Sequence, residues 1–310
     1  MQVTQSLGGE KEHKTVMITG ASGYVGDYVT KFLAHSEFGV VATYRSRFPA
    51  LLDHVFPVCT DFSSVDLLAP ALRGVSSIIH LAWDHSFVGS PALSQSANLM
   101  GLQNLLKAAE KAKVSRFIFL SVRGASAQTT HPFLFEKYCA EALVLQSQIP
   151  CKRIVRSSLI MGGNMGQNRF LSHVQQLVKK IPGLYPVPVW QEALYPLHLS
   201  DVALVLRHLL LEETLGVSLL SMKGQTPYRL EDVFQLVSRQ GGSGYRIPVK
   251  KWLGEYLLTA MEAHGRRGGQ AQVRMKDFLR AEQASAGEEG IEIRESFFPS
   301  ERKSLEDCFP

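Results

Sequence analysis

The chain has 310 residues, enough for one large domain or two modest ones with a sizeable core. Hydrophobic residues make up 45% and charged residues 20%, which is ordinary for a soluble globular protein and excludes a fibrous or low-complexity chain. The net charge is +5, with basic residues scattered and a single local knot at Arg266-Arg267, so the pattern gives no nucleic-acid footprint and at most a slight attraction for an anionic ligand.

The four cysteines, Cys59, Cys139, Cys151 and Cys308, form no C-x-x-C pair and no zinc spacing, and no metal site is expected. Isolated cysteines suit a reducing compartment, and a cytoplasmic location is expected. Residues 1–14 are polar and lack the apolar run of a signal peptide. No stretch approaches the roughly 20 apolar residues that would span a bilayer.

Taken in order, residues 16–19 read as a strand and 24–35 as an amphipathic helix with Val25, Val29, Phe32 and Leu33 on one face. Strands follow at 39–44 and 56–59. A helix over 65–72 ends at Gly74, which is a C-terminal signal. Next come a strand at 77–81, a long helix at 94–113, a strand at 117–121, a helix at 133–147 and a strand beginning at 152–156. The near-continuous apolar runs Ser77–Leu81 and Phe117–Ser121 fit strands covered on both faces. Strands alternating with helices at this spacing imply right-handed crossovers and a doubly wound parallel α/β sheet. The second half is less regular. Helices are expected at 169–180, 200–212, 230–239 and 251–262, and residues 264–290 read as a loosely packed segment. The expected organisation is a Rossmann domain over 13–160 with 194–220, and a smaller discontinuous substrate-side cap over 161–193 with 221–310.

The chemistry starts at the first turn. Thr19-Gly20-Ala21-Ser22-Gly23-Tyr24-Val25-Gly26 places three glycines at G-x-x-G-x-x-G spacing between a strand and a helix. Glycine allows positive φ and close approach of the backbone to a ligand, and the following helix N-terminus favours an anion. In this βαβ context the pattern reads as a dinucleotide site. At the end of the second strand an NAD site usually carries a carboxylate for the ribose 2′-hydroxyl. Here Thr43-Tyr44-Arg45-Ser46-Arg47 offers no carboxylate and two guanidinium groups, which suit a 2′-phosphate. The cofactor expectation is therefore NADP(H) rather than NAD(H).

These motifs resemble the extended or atypical short-chain dehydrogenase/reductase superfamily, in its NAD-dependent epimerase/dehydratase-like and NmrA-like branches. The resemblance runs from about Val16 to Asp201 and more loosely to the end. It rests on the glycine turn, on Asp61-Phe62 after the third strand, and on His80-Leu81-Ala82-Trp83 after the fourth. Asn98, Gly101 and Asn104-Leu105-Leu106 follow on the next helix, then Arg156 on the sixth strand and His198-Leu199-Ser200-Asp201-Val202-Ala203 late in the chain. It implies cofactor contacts from Gly20, Ser22, Gly23, Tyr24, Val25, Gly26, Arg45, Arg47, Asp61, Phe62, Leu81, Ala82, Trp83, Asn98, Ser121 and Lys137.

The chain departs from the family at the proton-transfer step. The family's Tyr-x-x-x-Lys becomes Phe133-Leu134-Phe135-Glu136-Lys137, and phenylalanine has no proton to give. Tyr138 follows the lysine and should face another way. Ser121 ends the fifth strand as in the family, but the usual catalytic Ser/Thr falls near Val122 or Arg123. Lys137, His131 and His85 are the remaining candidates for proton transfer. The substrate side is expected from Trp83, His85, Phe87, Arg123, Phe133, Met161, Gly162, Asn164, Asn168 and Tyr195. The leading expectation is an NADP(H)-dependent oxidoreductase that acts on a small organic substrate by hydride transfer. A non-catalytic NADP(H)-binding sensor or assembly factor, and a nucleotide-sugar epimerase/dehydratase-like enzyme, stay open as alternatives. The expected partner is a small-molecule substrate, and a homodimer is left open.

Overall fold

The computed structural model describes residues 14–49, 51–84, 96–163, 184–188, 193–241, 245–249, 291–293, 295–299, 302–304 and 307. His85, Phe87, Asn164, Asn168, Arg266, Arg267 and Cys308, and the expected helices at 169–180 and 251–262, lie outside these residues.

The first half alternates as its sequence requires. The strands are β1 Lys14–Thr19, β2 Phe38–Tyr44, β3 Val55–Cys59, β4 Ser77–His80, β5 Arg116–Val122 and β6 Cys151–Ser157. Between them run α1 Tyr24–Ala34, α2 Val65–Leu68, α3 Ala97–Lys111 and α4 Pro132–Gln146. The expected helix at 65–72 divides in two. Ser64 caps α2 through the Leu67 N–H, and Pro70 opens a separate 3-10 turn, Pro70–Leu72, because it cannot supply the helical N–H. Helix α3 starts later than expected, where the Ser96 hydroxyl accepts from the Leu99 N–H.

The second half adds β7 Ile160–Met161, β8 Leu184–Pro188, β9 Leu197–His198, α5 Leu199–Leu211, β10 Gly216–Met222, α6 Leu230–Gly241, β11 Tyr245–Val249 and β12 Ile291–Glu292. The main sheet has eight strands in the order β12-β10-β6-β5-β4-β1-β2-β3, parallel throughout. Two small parallel pairs, β8 with β11 and β7 with β9, lie beside it in the topology.

Strand alternation sends side chains to two separate cores. Val16, Ile18, Ile118 and Val155 meet Val29 and Leu33 of α1 and Leu206 and Leu209 of α5 on one face. Met17, Ile78, Phe117, Phe119 and Ile154 meet Leu68, Leu102, Leu105 and Val144 of α2, α3 and α4 on the other. This is the doubly wound Rossmann layering that the sequence predicts.

Residues 221–310 are expected in the cap; within them, β12 pairs in parallel with β10, with Leu220 opposite Ile291 and Ser221 opposite Glu292. Ile293 and Phe298 are buried in the same core as α1 and α5. Residues 291–293 and Phe298 thus pack with the main sheet. The polar composition around them hid a short apolar edge that closes one end of it. Among the described residues, no helix is long and apolar enough to cross a membrane.

Candidate functional site

The strand order reverses between β1 and β4, and the loops that leave these two strands meet. Gly20 has φ +68°, and a Cβ there would lie 2.8 Å from Ala82 Cα and 2.9 Å from its N. At Gly26 a Cβ would lie 2.1 Å from the Gly20 carbonyl oxygen. Neither site tolerates a side chain, so the first and third glycines are fixed by packing of main chain on main chain. Gly23 donates its N–H to Gly20 O at 2.8 Å and forms the N-cap of α1 without any side-chain cap. The first-turn N–H groups of Tyr24, Val25 and Gly26 thus head a helix that no side chain closes, with Ser22 and Gly23 at its mouth. The cradle fits a pyrophosphate.

Thr19 ties the β4 loop to this turn. Its hydroxyl oxygen accepts the N–H groups of Leu81 and Ala82, each at 3.1 Å. Its proton therefore goes to Nδ1 of buried His80, 2.8 Å away. His80 is neutral with its proton on Nε2. Burial, aided by the nearby Lys137 charge, pushes its pKa down to about 3.

The loops that leave β2 and β3 are more polar. Arg45 and Arg47 follow β2 and are exposed. The Arg45 guanidinium donates to Asp84 Oδ2 at 3.3 and 3.4 Å. Asp61, after β3, accepts from both the N–H and the hydroxyl of Ser63, and these bonds hold its carboxyl below the usual range, with Arg45 contributing. Phe62 packs on Gly101 and sets its ring edge-on to His80. Asn104 donates to the carbonyls of Phe62 and Ser63, both at 2.9 Å. Asn98 clamps the β4 loop: it accepts from Asp84 N and donates to Asp84 O, each at 2.8 Å.

Lys137 lies at the carboxyl end of β5. Its ammonium donates to Leu120 O at 3.2 Å and sits 3.7 Å from the centroid of the Trp83 ring and 4.8 Å from that of Phe119. The residue is 6% exposed. Burial lowers its pKa to about 7, against the opposing pull of Glu136 and Glu141. Phe133, one turn earlier, is buried with Leu134 against Trp83 and Val122. The tyrosine position is therefore an apolar contact. Tyr138 points outward and stacks on Phe135, as its place after Lys137 predicts.

Sequence reasoning missed two carboxylates. Buried Glu136 accepts from the Ser96 hydroxyl and from Asn98 Nδ2 at 3.3 Å. Buried Glu141 accepts from the Ser121 hydroxyl at 2.5 Å and pairs in a bidentate fashion with Arg156 at 2.9 and 2.7 Å. Ser121 is thus engaged within an ion-pair network, and Arg156 has a defined role there. The available signal was a helix apolar on all sides that nonetheless carries Glu136, Lys137 and Glu141.

His131 is the N-cap residue of α4, half-buried, with its N–H bonded to the Thr129 hydroxyl at 3.2 Å. Arg123 follows β5, and its N–H bonds Ser157 O at 3.1 Å. Met161 is buried on β7. Gly162 accepts from the Tyr24 hydroxyl at 2.6 Å and has the His198 ring where a Cβ would go, at 2.5 Å. His198 accepts the Ser200 N–H at Nδ1 and caps α5. Tyr24, Gly162 and His198 thereby join the glycine turn to the end of β7.

Residues 16–150 match the family model described as the NAD dependent epimerase/dehydratase family. The chain is epimerase-like over this stretch. It is similar to ketoreductase nvfG of Aspergillus novofumigatus, 31% identical over 124 residues, which is 36% of this chain and 36% of that protein. The match thus spans about a third of that relative's length. A longer match, 23% identical over 76% of this chain and 61% of its partner, is to the mitochondrial NADH-ubiquinone oxidoreductase 40 kDa subunit of Neurospora crassa. Among solved structures, the Bordetella bronchiseptica enzyme WbmG in complex with NAD and UDP superposes with a TM-score of 0.63. It is 16% identical, over 88% of this chain and 95% of that one. The fold is an epimerase-like Rossmann fold.

Proposed function

We propose that this protein is an NADP(H)-dependent oxidoreductase of atypical short-chain type, acting on a small organic carbonyl substrate, with Lys137 in the proton-transfer role usually held by tyrosine. When bound, the nicotinamide supplies the hydride. The observation that carries the reading is the buried ammonium of Lys137 at the carboxyl end of β5, with its pKa lowered to about 7. An acid that titrates near neutrality can donate a proton to a carbonyl oxygen and recover it from water. Leu120 O and the Trp83 ring hold the amine in place, and Phe133 keeps the neighbouring space dry. The NADP(H) part rests on Arg45 and Arg47 and on the absence of a carboxylate at the end of β2.

A second reading is favoured by two observations. Trp83 covers Lys137 and leaves it nearly inaccessible, and a relative matched over three quarters of this chain is named as a subunit of a larger oxidoreductase. In that reading the protein binds NADP(H) without turnover.

NADPH oxidation against a panel of ketones, enones and nucleotide sugars separates the readings. Wild-type turnover is expected, falling by about 10²–10⁴ in Lys137→Met and much less in His131→Ala. Tight NADPH binding without turnover, together with activity gained only in Phe133→Tyr, would establish the non-catalytic reading.

A further inference from the structure

An ion pair crosses the dinucleotide crevice. Arg45 follows β2 and Asp84 follows β4, and β1, which carries the glycine turn, lies between these strands. At about 4.8 Å per strand the pair bridges roughly 10 Å over that turn. Both guanidinium contacts, at 3.3 and 3.4 Å, fall on the same carboxylate oxygen, Oδ2.

The two partners differ in freedom. Asp84 is held through its main chain: Asn98 bonds its N–H and its C=O, Glu136 accepts from Asn98, and Ser96 donates to Glu136. The Arg45 side chain is 74% exposed on a long stem. A carboxylate on an anchored main chain thus pairs with an exposed cation, and Asp61 lies close enough to feel the same cation.

We propose that Asp84 is a selectivity-determining residue for the cofactor: its carboxylate holds Arg45 across the crevice, and the 2′-phosphate of NADP(H) must displace it. This rests on the NADP(H) reading above. A guanidinium fork serves one anion well at a time, and the carboxylate and the phosphate ask for the same N–H groups. A 2′-phosphate brought to Arg45 also lies well within a Debye length, about 8 Å, of the Asp84 charge, so the two anions repel. NADH has no such anion and gains nothing from Arg45. Asp84 therefore restrains the preference that Arg45 creates.

The test is a fluorescence titration of NADPH and of NADH into wild type, Asp84→Asn, Arg45→Gln and the double variant, at low and high salt. Asp84→Asn keeps the side-chain shape, and the Asn98 clamp uses only main-chain atoms, so the fold is expected to persist with an unchanged melting temperature. It should tighten NADPH by about two- to five-fold, less at high salt, and change NADH less. Arg45→Gln should weaken NADPH by about tenfold or more and remove most of the Asp84→Asn gain. Weaker NADPH binding in Asp84→Asn would mean that Asp84 orients Arg45 for the phosphate, and it would overturn the proposal. So would an equal gain for NADH, or a gain undiminished in the double variant. A wild type that prefers NADPH while Asp84→Asn leaves the preference unchanged overturns this inference alone. A wild type that binds NADH as tightly as NADPH overturns the NADP(H) reading, and this inference with it.

Discussion

At Gly26 the constraint on the residue is absolute. A methyl group there would sit 2.1 Å from the Gly20 carbonyl oxygen, and both partners are main chain with no rotamer to yield. The turn would have to open, and it is the turn that aims the α1 N–H groups. Gly26→Ala is expected to cost about 1–3 kcal/mol of stability through overpacking. It should weaken NADPH binding by more than about tenfold, equivalent to about 1.4 kcal/mol. Thermal melting and a cofactor titration check the two effects, and unaltered NADPH affinity would show that the turn does not hold the phosphates. Tyr24, in the same turn, acts differently: its hydroxyl reaches Gly162 O, so a residue of the glycine turn also fixes the end of β7.

Among the elements, α4 links sequence to chemistry most directly. Pro132 opens it, Phe133 and Leu134 pack on Trp83, and one later turn supplies Glu136 and Lys137 to different partners. The strands β1 to β6 were legible because apolar runs buried on both faces leave few alternatives. Helices α1, α3 and α4 were legible from the spacing of their apolar residues. The glycine turn was legible because its residues are consecutive. The Glu136–Asn98–Asp84 and Glu141–Arg156–Ser121 networks were not, since each joins residues from separate elements, and only the sheet order brings them together. Strand β10 was missed because Gly216–Met222 follows a helix with a short polar break and its mixed burial blurs the pattern. The Asn98 clamp gives a prediction at this scale. Asn98→Ala removes the Asn98 bonds to the N–H and C=O of Asp84 and one donor from Glu136. It is expected to destabilise the protein by about 1–3 kcal/mol. The Asp84 amide should also lose hydrogen-exchange protection, while amides in β5 keep theirs. Retained protection at Asp84 would show that Thr19 and the Leu81–Ala82 contacts suffice to hold the loop.

For the whole molecule, buried ionisable groups near the carboxyl ends of the strands tie the site to global stability. His80 is neutral in the fold with a pKa of about 3 against 6.5 when free, so the unfolded chain binds the extra proton between these values. Its contribution is complete above pH 6.5 and is lost as the pH falls toward 3. His198, lowered to about 4 by burial with Lys303 adding to the shift, acts in the same direction. Lys137 extends the trend upward. Its pKa is about 7 folded and 10.5 free, so between these values the unfolded chain again holds more protons, and stability rises with pH through that window. Burying the charged amine destabilises the fold most below pH 7. In the cofactor-free protein these three groups are therefore expected to add stability as the pH rises from about 4 to 6.5, and again above about 7. Lys137→Met should keep most of the acid limb, with His80 less depressed once the Lys137 charge is gone, and lose the rise above pH 7. Urea midpoints at unit pH intervals for the two proteins measure this directly. Parallel curves above pH 7 would mean that the amine is well solvated in the fold. Its pKa would then be ordinary, and the case for Lys137 as a proton donor near neutral pH would fall with it.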